Sequence, residues 1–84
     1  MRSRVVEYTR AARRDLKNVP PNAARMLVAA LDAFAAGGES DIKKLRGYPL
    51  PRWRLRAGNY RAIFDLQPER VLVERIGYRR DIYR

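Results

Sequence analysis

Apolar side chains in the first half of the chain recur at the three- and four-residue spacing of an amphipathic helix. The residues that share this spacing are Ala24, Leu27, Leu31 and Phe34. Proline suits a first helical turn and glycine commonly follows a last one, so Pro21 and the Gly37-Gly38 pair mark the two ends. The pattern predicts a helix over about 21–36.

A shorter helix is predicted upstream of this one, over 10–18. Thr9 can cap its N-terminus, and Ala12 and Leu16 lie at core spacing. Pro20 prevents the helix from continuing. Residues 2–8 alternate weakly between polar and apolar positions, which predicts a first strand.

The second half of the chain changes to the two-residue period of strands. In the segment 52–57, Trp53 and Leu55 alternate with arginines, so they should face a core while the arginines share the opposite face. Further strands are predicted at 60–66 and 70–76, joined by turns at 58–59 and near Pro68. The stretch between the second helix and the strand at 52–57 reads as a polar loop.

Together these elements predict one α+β domain over residues 1–84, in the order β-α-α-β-β-β. Two helices cannot cover both faces of a small sheet, so they should pack on one face of a mainly antiparallel four-stranded sheet. The other face, which carries the aligned arginines, should stay open.

The positive charge of the chain is concentrated in its second half, which contains the strand with the alternating arginines. The chain has a formal net charge of +10, and sixteen of its nineteen basic residues are arginine. Residues 1–42 hold seven basic and five acidic side chains, whereas residues 43–84 hold twelve and four. Arginine grips phosphate in a bidentate manner, so the pattern indicates RNA, DNA or an acidic protein as the partner.

Several kinds of chemistry are excluded by residue type. Histidine and cysteine are absent, so we expect no zinc site, no disulfide and no cofactor. Ser3 and Ser40 are the only serines, and no histidine can activate them. No stretch reaches the length of a membrane span and no signal peptide is recognisable, so we expect a cytoplasmic protein with no membrane partner.

Arginine and tyrosine remain as candidate catalytic groups. RNA can be cleaved without a metal, because its own 2′-hydroxyl attacks the neighbouring phosphodiester and fixed guanidinium groups can stabilise the charge that develops. A cationic cluster favours a phenolate, which makes Tyr83 a conceivable proton-transfer group, although tyrosine normally titrates near pH 10.

Three segments then resemble the RelE/ParE superfamily of toxin–antitoxin toxins, most closely its RelE-type mRNA interferases. These segments are K-L-R-G at 44–47, R-L-R-A-G-N-Y-R at 54–61 and G-Y-R-R-D-I-Y at 77–83. The order of elements is also that of the family. The resemblance implies a metal-independent endoribonuclease that cleaves mRNA in the ribosomal A site, inhibits translation and is held inactive by an acidic antitoxin.

Carried over residue by residue, the resemblance assigns catalytic roles to Arg54, Arg61, Arg79 and Tyr83. Further basic side chains are expected to bind RNA, chiefly through its backbone phosphates: Lys43, Lys44, Arg46, Arg52, Arg56 and Arg80. Many relatives carry histidine where this chain has Tyr78, and Tyr83 follows Arg79 by only four residues.

Two other functions stay open at this point. The same scaffold serves ParE-like toxins, which inhibit DNA gyrase without nuclease activity, and fold alone does not distinguish the two. A plain RNA-binding module is the third possibility, but no exposed aromatic pair for base stacking is evident. The converging arginines favour the nuclease.

Overall fold

The structure is a computed structural model that describes residues 3–80. Two helices and five strands make up these residues. Their bounds are β1 Val5–Tyr8, α1 Arg10–Asn18, α2 Pro21–Ala35, β2 Asp41–Leu45, β3 Arg52–Ala57, β4 Tyr60–Leu66 and β5 Arg70–Tyr78. Within this part of the chain neither helix is long and apolar enough to cross a membrane.

All five strands form one sheet in the order β1-β5-β4-β3-β2. The pairs β2–β3, β3–β4 and β4–β5 are antiparallel, whereas β1 lies parallel to β5 with Val5 opposite Arg70. A tight turn at Gly58, which has a φ of 60°, joins β3 to β4. The last strand therefore lies inside the sheet, and the first strand forms one of its edges.

Both helices pack on one face of this sheet, as the sequence predicts. Leu27 and Leu31 of α2 are fully buried and belong to the same apolar cluster as Leu55 of β3 and Phe64 of β4. Ala12, also fully buried, brings α1 into this cluster. Phe34 packs against the Phe64 ring with 5.5 Å between the ring centroids. The apolar periodicity thus selects the face of the sheet that the helices cover.

The short helix α1 is fixed at its start and near its end by side-chain hydrogen bonds. Thr9 caps it, because its hydroxyl accepts a hydrogen bond from the Ala12 amide at 3.0 Å and donates one to the Glu74 carbonyl at 3.1 Å. Asp15 accepts hydrogen bonds from the Ile76 amide at 2.8 Å and from the Arg75 guanidinium at 2.9 Å. These contacts tie the helix to β5.

The main departure from the prediction is the fifth strand. Residues 41–45 were expected to be a polar loop, but they form β2, and every residue of β2 pairs with β3. The sheet therefore has five strands, and the predicted number of four was wrong. The cause is that only Ile42 and Leu45 are apolar in this segment, and they lie three residues apart, which hides the two-residue period. Pairing with β3 forms the strand in spite of this weak local pattern.

The remaining boundaries agree closely. The predicted helices at 10–18 and 21–36 correspond to α1 and α2, and β3 and β4 have the predicted limits. β5 runs two residues beyond its predicted end, to Tyr78, because it pairs with β4 up to Tyr60. β1 begins at Val5, so Ser3 and Arg4 precede the strand.

Candidate nucleic-acid interface

The face of the sheet opposite the helices, called the outer face here, carries the predicted arginines. Paired residues on neighbouring strands project to the same side. Arg56 lies opposite both Asp41 of β2 and Arg61 of β4, and Arg54 lies opposite Lys43. Trp53 and Leu55 point the other way and pack with the core. The predicted alternation of β3 is therefore present.

One half of the outer face is electrically balanced. Arg52 contacts the carboxylates of Glu74 and Asp65, and Arg70 contacts Glu7 at 2.5 Å. Gln67 connects the two groups, since its side chain accepts a hydrogen bond from Arg70 and donates one to Asp65. Its backbone carbonyl accepts a hydrogen bond from Arg4 Nε at 2.9 Å, so three arginines balance three carboxylates. We call this set the neutral network. Arg52, which was predicted to bind RNA, belongs to this network. Its guanidinium contacts carboxylates and does not line the groove described next.

The other half of the outer face is a cationic groove of about 860 Å³. Eight of the nine residues that line it are basic, and the ninth is Leu45. The basic residues are Lys43, Lys44, Arg46, Arg54, Arg56, Arg61, Arg79 and Arg80. They come from β2, β3, β4 and the turns that follow β2 and β5. Such a concentration of one charge in a concave surface attracts polyanions.

Arg61 is the most rigidly held cation of the groove. Its side chain is buried, with 8% of the residue exposed, and its Nη1 donates hydrogen bonds to the Gly58 and Tyr60 carbonyls, both at 3.1 Å. Gly77 lies directly opposite on β5 and brings no side chain to that position. The guanidinium is thus oriented before any ligand binds, which is the condition for efficient stabilisation of a developing charge.

Arg54 is also largely buried, but part of its hydrogen-bonding capacity is unused. Its side chain is 12% exposed, and its Nη2 lies 3.4 Å from Asp41 Oδ1. Its Nε is buried and has no hydrogen-bond partner. A buried donor without an acceptor is costly, so a shift of the Arg54 side chain that brings Nε to a phosphate oxygen would be favoured.

The remaining predicted residues fall around these two. Lys43, Arg46 and Arg56 line the groove. Lys44 also contributes to its wall, but its Nζ lies 5.9 Å from the centroid of the Trp53 ring. That geometry fits a cation–π contact.

The turn after β5 brings two further arginines to the groove. The Arg79 amide donates a hydrogen bond to the Asn59 carbonyl at 2.9 Å, which fixes this turn beside the β3–β4 turn, and Arg80 follows it. Tyr78 packs edge-on against Tyr60, with 5.5 Å between their ring centroids. The predicted proton-transfer residue Tyr83 lies outside the described residues.

Sequence reasoning missed one participant. The sequence pattern gives Asp41 no role, but its carboxylate lies near both Arg54 and Arg56. Asp41 was missed because the sequence pattern predicts a loop over residues 41–45. A strand over these residues, in register with β3, would have placed Asp41 beside Arg56. Within residues 3–80 no group of three or more acidic side chains is positioned to hold a metal ion.

Comparison with known proteins decides the family. The family model for the ParE toxin of the type II toxin–antitoxin system parDE matches residues 6–83. The chain belongs to the RelE/ParE family. It is therefore a toxin of a type II toxin–antitoxin system.

The relatives of this RelE/ParE toxin include proteins of the RelE branch. It is 36% identical to Toxin RelG of Mycobacterium tuberculosis over 86 residues, covering 94% of each chain. Its fold is similar to a chain of the RelBE2 toxin–antitoxin complex of the same organism, with a TM-score of 0.79, 27% identity and 96% and 97% of the two chains covered. It is also similar to a chain of the RelB–RelE complex of Methanococcus jannaschii, with a TM-score of 0.67, 25% identity and 92% and 94% covered.

Proposed function

We propose that this toxin is an endoribonuclease that cleaves mRNA in the ribosomal A site and thereby stops translation. The observation that carries the proposal is the cationic groove, in which Arg61 is oriented by two backbone carbonyls and Arg54 has a buried, unused donor. The similarity to Toxin RelG supports the same branch of the family.

The cleavage chemistry is intramolecular in the RNA. The 2′-oxygen loses its proton and bonds to the neighbouring phosphorus, and the bond from phosphorus to the 5′-oxygen then breaks. The 5′-oxygen takes up a proton, which leaves a 2′,3′-cyclic phosphate on one fragment and a 5′-hydroxyl on the other. Arg61 and Arg54 stabilise the extra negative charge of the pentavalent intermediate, and Arg79, which also lines the groove, contacts the same phosphate.

Proton transfer is the harder requirement. Arginine stays protonated at neutral pH, so it cannot act as the base. Tyr83 is the proposed proton-transfer group, because a cationic cluster favours the phenolate form of a tyrosine. We expect Tyr83→Phe to slow cleavage less than loss of Arg61, because a phenol is an inefficient proton carrier near pH 7.

Dependence on the ribosome fits the shape of the groove. The groove is open, and its cations contact phosphates rather than reading bases, so by itself it binds RNA with little preference. Aligning the 2′-hydroxyl with the scissile bond removes a large part of the activation barrier to cleavage. We expect mRNA that is bound to the ribosome to be constrained in this way already. Lys43, Arg46, Arg56 and Arg80 then hold the flanking backbone.

The test is induced expression followed by mapping of mRNA ends, with ribosomes present or absent. We expect cuts inside coding regions only where ribosomes are bound, ends that carry 2′,3′-cyclic phosphate, and cleavage that persists in EDTA once mRNA and ribosomes are assembled. Arg61→Ala should slow cleavage by about a hundredfold to a thousandfold. Arg25→Ala removes the same charge from α2, outside the groove, and should leave cleavage unchanged.

A second candidate is inhibition of DNA gyrase, which is favoured by the match to the ParE family model. In that case expression would produce DNA breaks and an SOS response while mRNA stays intact. Full toxicity in both Arg61→Ala and Arg54→Ala would also contradict the nuclease. Arg61→Lys and circular dichroism distinguish loss of the site from loss of the fold, because the lysine keeps the buried charge.

A further inference from the structure

Asp41 is, among residues 3–80, the only carboxylate that forms ion pairs with arginines of the cationic groove. Its Oδ1 lies 3.4 Å from Arg54 Nη2, and its Oδ2 lies 3.7 Å from Arg56 Nε. It stands at the start of β2, directly opposite Arg56, and lies beside the groove rather than in its lining. One carboxylate is thus shared between two cations that would otherwise face the groove with their full charge.

These two ion pairs are easily broken. Both distances are long for charge-assisted contacts, which are usually about 2.7–2.9 Å. The Asp41 and Arg56 side chains are more than half exposed, and exposed pairs contribute little stability. The contrast is with Arg52, whose carboxylate partners are less exposed and belong to the neutral network. Asp41 therefore offsets part of the positive charge of the groove through contacts that contribute little stability.

We propose that Asp41 is a resident counter-ion of the groove, displaced from Arg54 and Arg56 when a phosphate of single-stranded RNA binds. The proposal rests on RNA being the ligand, as in the proposed function. Each RNA phosphate must compete with a carboxylate that is already in place, so free RNA binds weakly. RNA that is held in register by the ribosome does not need the same affinity, so the counter-ion lowers the fraction of toxin that bulk RNA would otherwise occupy.

The test measures binding of a short 2′-O-methyl RNA, which lacks the attacking hydroxyl and cannot be cleaved. Fluorescence anisotropy over a range of KCl concentrations gives both the affinity and its salt dependence. We expect Asp41→Asn to bind roughly fivefold more tightly at low salt, the size of one exposed ion pair. The slope of log affinity against log salt should steepen, because the variant has no displaced carboxylate that takes up a cation from solution when RNA binds.

Asp65→Asn is the matched control. It makes the same change in net charge on the same face of the sheet, but Asp65 contacts Arg52 and Gln67 in the neutral network. We expect a smaller gain in affinity and an unchanged salt slope. A double variant that combines Asp41→Asn with Arg54→Ala should lose most of the gain, because the aspartate acts through that arginine.

The outcomes separate this inference from the proposed function. Unchanged or weaker RNA binding by Asp41→Asn overturns the inference, and so does an equal gain in Asp65→Asn. Normal RNA binding with lost cleavage on ribosomes also overturns it, since Asp41 would then position catalytic groups. Tighter binding without any mRNA cleavage supports the counter-ion and contradicts the nuclease. If loss of Arg54 and Arg61 together does not weaken RNA binding, both proposals fail.

Discussion

At the scale of single residues, the two buried arginines of the groove differ in how they are held. Arg61 is tied to backbone carbonyls, whereas Arg54 has only the long contact to Asp41 and a buried Nε without a partner. A guanidinium can offer two parallel donors to one phosphate, and an ammonium cannot. The geometry of the Arg54 side chain therefore matters as much as its charge.

This difference predicts the effect of replacing arginine with lysine. Arg54→Lys keeps the charge but loses the fork, so we expect ribosome-bound mRNA to be cleaved at least tenfold more slowly, as for loss of one strong hydrogen bond of about 1.5–3 kcal/mol. Arg56→Lys is the control, because Arg56 is 54% exposed and faces solvent. Primer extension on programmed ribosomes measures both. If Arg54→Lys and Arg56→Lys cleave mRNA at equal rates, then Arg54 contributes only its charge to cleavage.

A second residue-scale prediction concerns Tyr8. Burial, with a smaller effect from the nearby charge of Asp32, raises the pKa of the Tyr8 phenol to about 12, and its hydroxyl has no hydrogen-bond partner. The unfolded chain releases this proton near pH 10, so Tyr8 favours unfolding as the pH rises from about 10 to about 12. Tyr8→Phe should remove that part of the loss of stability and cost nothing near neutral pH.

Urea unfolding at pH 8 and at pH 11 measures the effect of Tyr8→Phe. The control is Tyr48→Phe, which removes a hydroxyl from an exposed loop position. Wild type and Tyr8→Phe should differ more at pH 11 than at pH 8. A difference that is the same at both pH values would contradict a raised pKa for this phenol.

At the scale of elements, the attachment of α1 to β5 depends on Asp15. Its carboxylate, mostly buried, accepts the Ile76 amide next to the irregular register between β4 and β5. Asp15→Ala leaves that amide without an acceptor, so we expect the free energy of unfolding to fall by about 1–3 kcal/mol. Chemical denaturation measures this change.

The control for Asp15 is the amide variant. Asp15→Asn keeps an oxygen at the Oδ2 position, which can accept from both the Ile76 amide and Arg75 Nε. It loses the negative charge and the Oδ1 contact with Arg75 Nη2, and the Arg75 side chain is 59% exposed. An exposed ion pair contributes little, so Asn should restore most of the stability. If Asn and Ala were equally destabilising, the ion pair with Arg75 rather than the backbone contact would be the important interaction.

Elements also show what the sequence could and could not predict. The helices and β3, β4 and β5 were predicted because each keeps a clear apolar period or a clear turn at its ends. β2 was missed because Lys43 and Lys44 interrupt its alternation and its strand form comes from pairing with β3. The sequence also could not predict that Arg52 lies apart from the groove. Asp65 and Glu74 come next to Arg52 only because of the register in which β3, β4 and β5 pair.

At the scale of the whole molecule, the outer face is divided into the neutral network and the cationic groove, and eight of the nineteen basic side chains line the groove. We expect an acidic antitoxin to cover the groove and to fold as it binds. The similar RelBE2 and RelB–RelE structures are toxin–antitoxin complexes, which supports an antitoxin as the partner.

Association with that antitoxin should be fast and should slow steeply as salt is added. Stopped-flow mixing of the toxin with the product of the neighbouring gene, from low to high KCl, measures this. Arg56→Ala should lower the association rate and its salt dependence more than Arg25→Ala, which removes a charge from α2 instead. Absence of a complex at low salt would contradict an electrostatic partner at the groove.

The parallel pairing of β1 with β5 has a consequence for how the protein is made. The first strand finds its partner only in the last one, and that last strand lies in the interior of the sheet. Contacts between distant parts of a chain form late, because the intervening segment must be ordered first. The sheet is therefore completed only after β5 has been synthesised, and until then β1 has no strand to pair with.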